Sequence, residues 1–167
     1  RRQRQMCIRD SAGRVPPELL ELCKYIKYIV CSKGFAENVT GMKFDYNNPS
    51  TLVAIYNKLQ NKYPNGSIVI TLEEKGCLYQ VGNEIKIMPG LKVQPVDTTG
   101  AGDIFHGAFT YGIANNFDIE KTITLANIAA GLSVTKIGSR LSIPNLSEVL
   151  DYYAKKTGQI NDNQQNS

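Results

Sequence analysis

Residues 97–109 read DTTGAGDIFHGAF. Glycines at 100 and 102 let the backbone turn sharply and bring its N–H groups close to a ligand. The apolar run that follows predicts a helix whose positive end points at the same place. A turn of this kind entering a helix makes an anion hole, suited to a phosphate or a developing negative charge. Asp103 falls in the first helical turn, where a carboxylate also serves as a simple cap, although capping alone does not need two neighbouring glycines. The dinucleotide pattern G-x-G-x-x-G fails at Phe105, and G-x-x-x-x-G-K-[ST] is not present, so neither common phosphate fingerprint applies.

Around this stretch, strand and helix signals alternate. PPELLELCKYIKYIVCS opens with proline and carries apolar residues at helical spacing through Leu19, Leu22, Cys23 and Ile26, then becomes a short buried strand, YIVCS. GFAENVTG predicts a short helix stopped by Gly41, and Ser50 is a plausible N-cap for TLVAIYNKLQNKY. SIVITL, apolar on both faces, predicts a strand covered on two sides. CLYQVGNEIKIMP reads as two strands around a Gly-Asn turn, and KVQPV as a further strand. Helices are predicted over 101–115, 118–136 with Asp118 as cap, and 146–156. Along the second of these, Ala126, Ala129, Ala130 and Ser133 form a small-residue face that permits close packing. The alternation predicts a layered α/β fold without internal repeats.

Charge divides the chain unevenly. Five of its six arginines (Arg1, Arg2, Arg4, Arg9 and Arg14) lie in the first fourteen residues, with Asp10 as the only acid there. The remaining 153 residues are charge-balanced and use lysine almost throughout, so the formal +4 belongs to the start alone. A basic arm for nucleic acid is one reading. RRQRQMCIRDS reads better as translated adapter or cloning sequence, and residues 1–14 are set aside as non-native. The four cysteines, Cys7, Cys23, Cys31 and Cys77, show no C-x-x-C spacing, and His106 is the only histidine. Reduced, buried thiols in a cytoplasmic protein are therefore expected rather than a zinc site. Apolar runs are too short for a membrane span, and the polar end, 157–167, is expected to be a disordered tail.

DTTGAGDIFHGAF closely resembles the C-terminal signature of the PfkB, or ribokinase-like, carbohydrate kinases, whose core is D-T-x-G-A-G-D. VTG at 39–41, IVITL at 68–72 and ANIAAGLSVTKIGS at 126–139 follow in that family's order, so the resemblance covers about 15–156. It implies a ribokinase-like α/β/α fold with a mostly parallel central sheet, whose N-terminal half is not in this sequence. It also implies ATP-dependent phosphorylation of a sugar hydroxyl, on a ketose, fructose-like or ribose-like substrate. Mg²⁺ would travel with ATP, and K⁺ is a further candidate cofactor. The implied partners are the sugar and ATP, without nucleic acid or membrane, with a homodimer allowed for the full-length protein; this chain alone is expected to be inactive.

Residue by residue, Asp103 becomes the general base, and Gly100, Ala101 and Gly102 the anion hole. Thr71, Leu72, Gly76 and Asn127 fall at nucleotide-binding positions. Asp97, Thr99, Ser133, Gly138 and Ser142 match a monovalent-cation site. His106, three positions past Asp103, is either a packing residue or one that supports the site.

Two departures from the family pattern stand out. Glu73 occupies the glycine of the family's T-L-G, where it either repels ATP or faces solvent. The metal-organising N-x-x-E falls on Ser32 and Phe35, and Glu37 is two residues away from that carboxylate. These departures keep two other readings open: a catalytically silent nucleotide-binding protein of the same fold, and a nucleoside or vitamin-precursor kinase.

Overall fold

The computed structural model describes residues 5–8, 15–138 and 140–158, with only the backbone described for Gln5–Ile8. The basic residues flanking that strand, and the tail from residue 159 on, lie outside the described residues. The chain divides into two compact units, Arg1–Gly90 and Leu91–Ser167.

The first unit contains a five-stranded sheet of β1 (Gln5–Ile8), β2 (Tyr28–Ser32), β3 (Ser67–Thr71), β4 (Cys77–Val81) and β5 (Glu84–Met88), in that spatial order. β1, β2 and β3 pair in parallel, with Ile29 opposite Ile68 and Cys31 opposite Ile70. β4 and β5 continue antiparallel, so the sheet is mixed. Gln5–Ile8, inside the segment that the sequence reading sets aside, pairs with Tyr28–Cys31 as a strand of this sheet.

Helices α1 (Pro17–Leu22), α2 (Lys33–Thr40) and α3 (Pro49–Lys62) make the connections between the parallel strands. α1 is shorter than its apolar spacing predicts: a 3-10 turn takes over at Cys23–Tyr25, and Leu22 stays exposed. α2 is capped by Ser32 Oγ, which accepts from Phe35 N at 3.1 Å, and ends at Gly41 in the left-handed conformation, as expected. α3 begins at Pro49 with Asn48 as N-cap rather than Ser50. Proline at the first helical position loses no hydrogen bond there, and the Ser50 hydroxyl donates to the Asn48 side chain.

The core of this unit joins Ile29, Cys31, Ile68 and Ile70 from one sheet face to Phe35, Ile55, Tyr56 and Leu59 of the helices. Each large side chain buried here contributes roughly 1.5–3 kcal/mol. The buried Tyr56 hydroxyl donates to Ile68 O at 3.0 Å, which offsets its desolvation. Val30 and Val69, which alternate onto the other face, are buried too, as the apolar-on-both-sides pattern predicts. Cys23, Cys31 and Cys77 are buried free thiols. Burial pushes the Cys23 thiol up to about 11 and the Cys77 thiol up to about 12.

The second unit holds α4 (Ala101–Ala114), α5 (Ile119–Ser133) and α6 (Leu146–Lys156). Asp118 caps α5 through Lys121 N at 2.8 Å, and Asn145 with Glu148 forms a capping box on α6. α4 and α5 approach closely at Gly112, where a Cβ would fall 2.7 Å from Thr122 Oγ1. The small-residue face of α5 is largely inside, with Ala126, Ala129 and Ser133 all buried. Leu125, Ile128 and Ala129 pack with Val149 of α6.

The strand expected at KVQPV does not form. Pro95 has no N–H to donate to a ladder, and the next amide, Val96 N, bonds to Val134 O at 2.7 Å instead. No helix among the described residues is long and apolar enough to cross a membrane.

Candidate active site

α4 differs from its neighbours in how it begins. α2, α5 and α6 each have a side-chain cap, and α1 and α3 start without one behind Pro16 and Asn48, whereas the N-cap of α4 is Gly100, left-handed at φ 81° and with no side chain to cap with. Ala101 N bonds back to Thr98 O at 3.3 Å, and with no side-chain cap the positive end of the helix dipole is left without a side-chain acceptor at this turn. Gly102 sharpens this picture. Its backbone is ordinary helix, it is exposed, and a Cβ there would meet nothing within 4 Å. Glycine inside a helix costs about 0.5–1 kcal/mol relative to alanine, and neither conformation nor internal packing accounts for that cost here.

Asp103 is exposed one residue further on. With Gly100 it stands at one end of a cavity of about 530 Å³ walled by α4, α5, α6 and the Ile143–Pro144 segment. Gly107 and Tyr111 of α4 continue that wall, and Leu125, Ala129 and Val149 are its buried parts. Sequence reading missed Gly107 and Tyr111, although their four-residue spacing from Asp103 marks one helix face. His106 is buried, edge-on to Phe105 at 6.2 Å, and is not part of this wall.

The residues matched to a cation site are drawn together in part. Asp97 Oδ1 accepts from Thr99 N at 2.9 Å and Oδ2 from Gly138 N at 3.0 Å. Gly138 O in turn accepts from Ser142 N at 2.9 Å. The Thr99 backbone N–H, the Thr99 hydroxyl and the Gly138 N–H hold the Asp97 carboxyl below its ordinary range. Ser133 turns back on its own helix, its Oγ donating to Ala130 O at 2.7 Å.

The positions matched to nucleotide binding divide between the units. Asn127 is buried in α5. Thr71 ends β3 and donates its hydroxyl to Cys31 O at 3.3 Å, whereas the Leu72 side chain is in the core, which leaves only its backbone to meet a ligand. Gly76 is glycine for an internal reason: at φ 95° a Cβ would fall 1.9 Å from Met88 O. Glu73, between them, adopts φ 57° with its side chain exposed. This is the left-handed conformation that glycine adopts freely and that costs another residue roughly 1 kcal/mol.

The other departure is equally physical. Ser32 serves as the α2 cap and Phe35 is fully buried in the core, so neither side chain can organise a metal. Glu37 is engaged nearby. Burial would raise its carboxyl, but the Lys43 ammonium and the Phe44 N–H, each at 2.9 Å, hold it below the usual range. Among the described residues no group of three or more His, Cys, Asp or Glu is placed to hold a metal ion.

Comparison with known proteins gives the family. A sequence model of the pfkB family carbohydrate kinases matches residues 1–146. The ribokinase of Lactococcus lactis subsp. lactis is 40% identical over 92 residues, which are 55% of this chain and 30% of that protein. The deoxyribokinase of Salmonella typhi is 32% identical over 142 residues, 81% of this chain and 45% of that protein. The crystal structure of Arabidopsis thaliana ribokinase complexed with ribose and ATP aligns with a TM-score of 0.70 at 25% identity, covering 87% of this chain and 45% of that one. The chain spans less than half the length of these relatives. With the family match covering most of its length and the ribokinase-like architecture shared, the chain belongs to the pfkB family of carbohydrate kinases.

Proposed function

We propose that this chain carries the phosphoryl-transfer end of an ATP-dependent sugar kinase. The observation that carries the reading is the exposed Asp103 beside a helix N-terminus capped only by glycine, at the edge of a cavity. ATP, with Mg²⁺ on its phosphates, would supply the transferable phosphoryl group. The chain's own part is to position and to hold charge: the amides of Gly100, Ala101 and Gly102 face the anion, and Asp103 takes the proton of the attacking hydroxyl. Thr71, the Leu72 backbone, Gly76 and Asn127 are proposed to meet the nucleotide. The Asp97–Gly138–Ser142 chain of contacts, with Thr99 and Ser133, is proposed to accommodate a monovalent cation such as K⁺. The names of the relatives, ribokinase and deoxyribokinase, favour a pentose as acceptor. Phe35 supports a second reading, a nucleotide-binding protein without transfer activity, because the carboxylate that the family uses to organise metal is replaced by a core side chain.

Asp103→Asn separates these readings in a protein that joins this chain to the remainder of a kinase fold. Asparagine keeps the shape and the capping capacity but accepts no proton. The kcat should therefore fall by about 10²–10⁴, with the KM for ATP little changed and stability within about 1 kcal/mol. Retention of more than about a tenth of the activity would remove Asp103 as the base. ATP binding without transfer in the unsubstituted protein would favour the silent reading.

A further inference from the structure

We propose that Lys33 and Lys75 are binding residues for the nucleotide's phosphates, meeting them directly at the place where the family pattern has a carboxylate to organise metal. This rests on the reading of Thr71, the Leu72 backbone and Gly76 as nucleotide positions and deepens it.

The two lysines come to one place from separate elements. Ser32 closes β2 and Thr71 closes β3, and these residues are partners across the parallel pair. Lys33 follows Ser32 as the first residue of α2, and Lys75 lies in the short turn that follows Thr71. Both therefore rise from the carboxyl ends of parallel strands, the side on which open α/β sheets bind ligands. Tyr46 gathers them. Its ring stacks on Phe44 at 6.4 Å and packs against the core of the sheet unit. Both ammonium groups lie over that ring, Lys33 Nζ at 5.3 Å and Lys75 Nζ at 4.7 Å from its centroid.

α2 itself gains nothing from Lys33. A cation at the start of a helix opposes the dipole, and the first turn holds no acidic residue to offset it. Glu37, one turn on, is engaged by Lys43 Nζ and Phe44 N, at 2.9 Å each. Glu73 and Glu74 share the turn of Lys75 but are exposed, where salt screens them. Between partly exposed groups such as these a cation–π contact is weak, whereas an ammonium on a phosphate oxygen makes a charge-assisted hydrogen bond. Either lysine can therefore exchange ring for phosphate. With Ser32 Oγ spent on the α2 cap and Phe35 buried, the chain answers phosphate charge here with its own cations.

The 167-residue chain is titrated with ADP and with adenosine by calorimetry, in Mg²⁺ and in EDTA. ADP affinity should agree within about threefold between the two conditions. Lys33→Gln and Lys75→Gln should each weaken ADP by roughly tenfold, about what one lost charge-assisted hydrogen bond implies, and leave adenosine unchanged. Lys33→Arg and Lys75→Arg keep the charge and should keep most of the ADP affinity. Tyr46→Leu is the structural control, since it removes the ring and leaves both lysines. If the lysines serve only to hold Tyr46, the glutamine variants will lower the melting temperature as Tyr46→Leu does, with ADP affinity unchanged, and the proposal is overturned. ADP binding that is lost in EDTA overturns it as well, because the phosphates then depend on a metal. So does binding of adenosine without ADP. Failure of the unsubstituted chain to bind either compound would overturn the nucleotide-site reading itself, and this proposal with it.

Discussion

The glycines of the two units answer to different demands. In the sheet unit, Gly76 and Gly90 stand back to back across a turn: a Cβ would fall 1.9 Å from Met88 O at the first and 2.2 Å from Glu74 O at the second. Folding alone requires them. In α4, Gly102 and Gly107 are helical and exposed, and a Cβ would meet nothing within 4 Å at either. Folding would be better served there by alanine. Residue identity that the fold explains says little about function; identity that works against the fold points outward, to something that approaches.

The largest effect that would test this contrast is at Gly76. Gly76→Ala adds a left-handed β-carbon in collision with backbone, and should destabilise the sheet unit by about 3 kcal/mol or more. A variant that melts like the parent would mean that the turn relaxes cheaply, and the contrast would lose its closed half. Gly102→Ala and Gly107→Ala should move the other way, each stabilising by about 0.5–1 kcal/mol in thermal or denaturant melts. Gly102→Ala should also weaken phosphate binding, because its methyl occupies the space left for the anion. Destabilisation at either position would reveal a packing demand and close the open half of the comparison. The smallest effect is expected at the amino terminus. We propose that residues 1–14 add little to the stability of the domain at 15–156, on the strength of their arginine-rich composition, although the family match begins at residue 1 and Gln5–Ile8 pairs with β2. Deleting them should change stability by less than about 1 kcal/mol; a larger loss would show that the pairing of Gln5–Ile8 with β2 contributes to the sheet.

Where a local rule decides the structure, the sequence was legible. Gly41 and Asp118 each mark a helix end through their own side chain or lack of one, and both act as read. The Gly-Asn turn between β4 and β5 is likewise a local matter. KVQPV misled because β-branched residues outweigh one proline on a propensity count, whereas the strand needed an N–H that Pro95 lacks and Val96 gives to α5. Ser50 misled because proline at 49 starts the helix one residue before it.

In the candidate site, the start of α4 was readable because glycine and aspartate spacing carries the chemistry. The walls were not. Ile143 and Pro144 come to the cavity only through tertiary packing of α6, and no spacing in the chain announces that. The pairing of Asp97 with Gly138 is equally non-local, although both residues were singled out. Phe35 had been noted as a missing carboxylate; its burial shows that the position now serves the core.

The placement of sulfur has a practical consequence. Cysteine occurs at positions 7, 23, 31 and 77 and nowhere beyond Gly90. The three described thiols are buried and have raised pKa values, so their reactive thiolates are scarce until the sheet unit opens. Alkylation kinetics read at Cys23, Cys31 and Cys77 in native buffer therefore time the breathing of one unit without any engineered label, against a helical unit that has no cysteine. Set beside a melt that both units report, the same reagent distinguishes a chain that opens all at once from one that opens in halves.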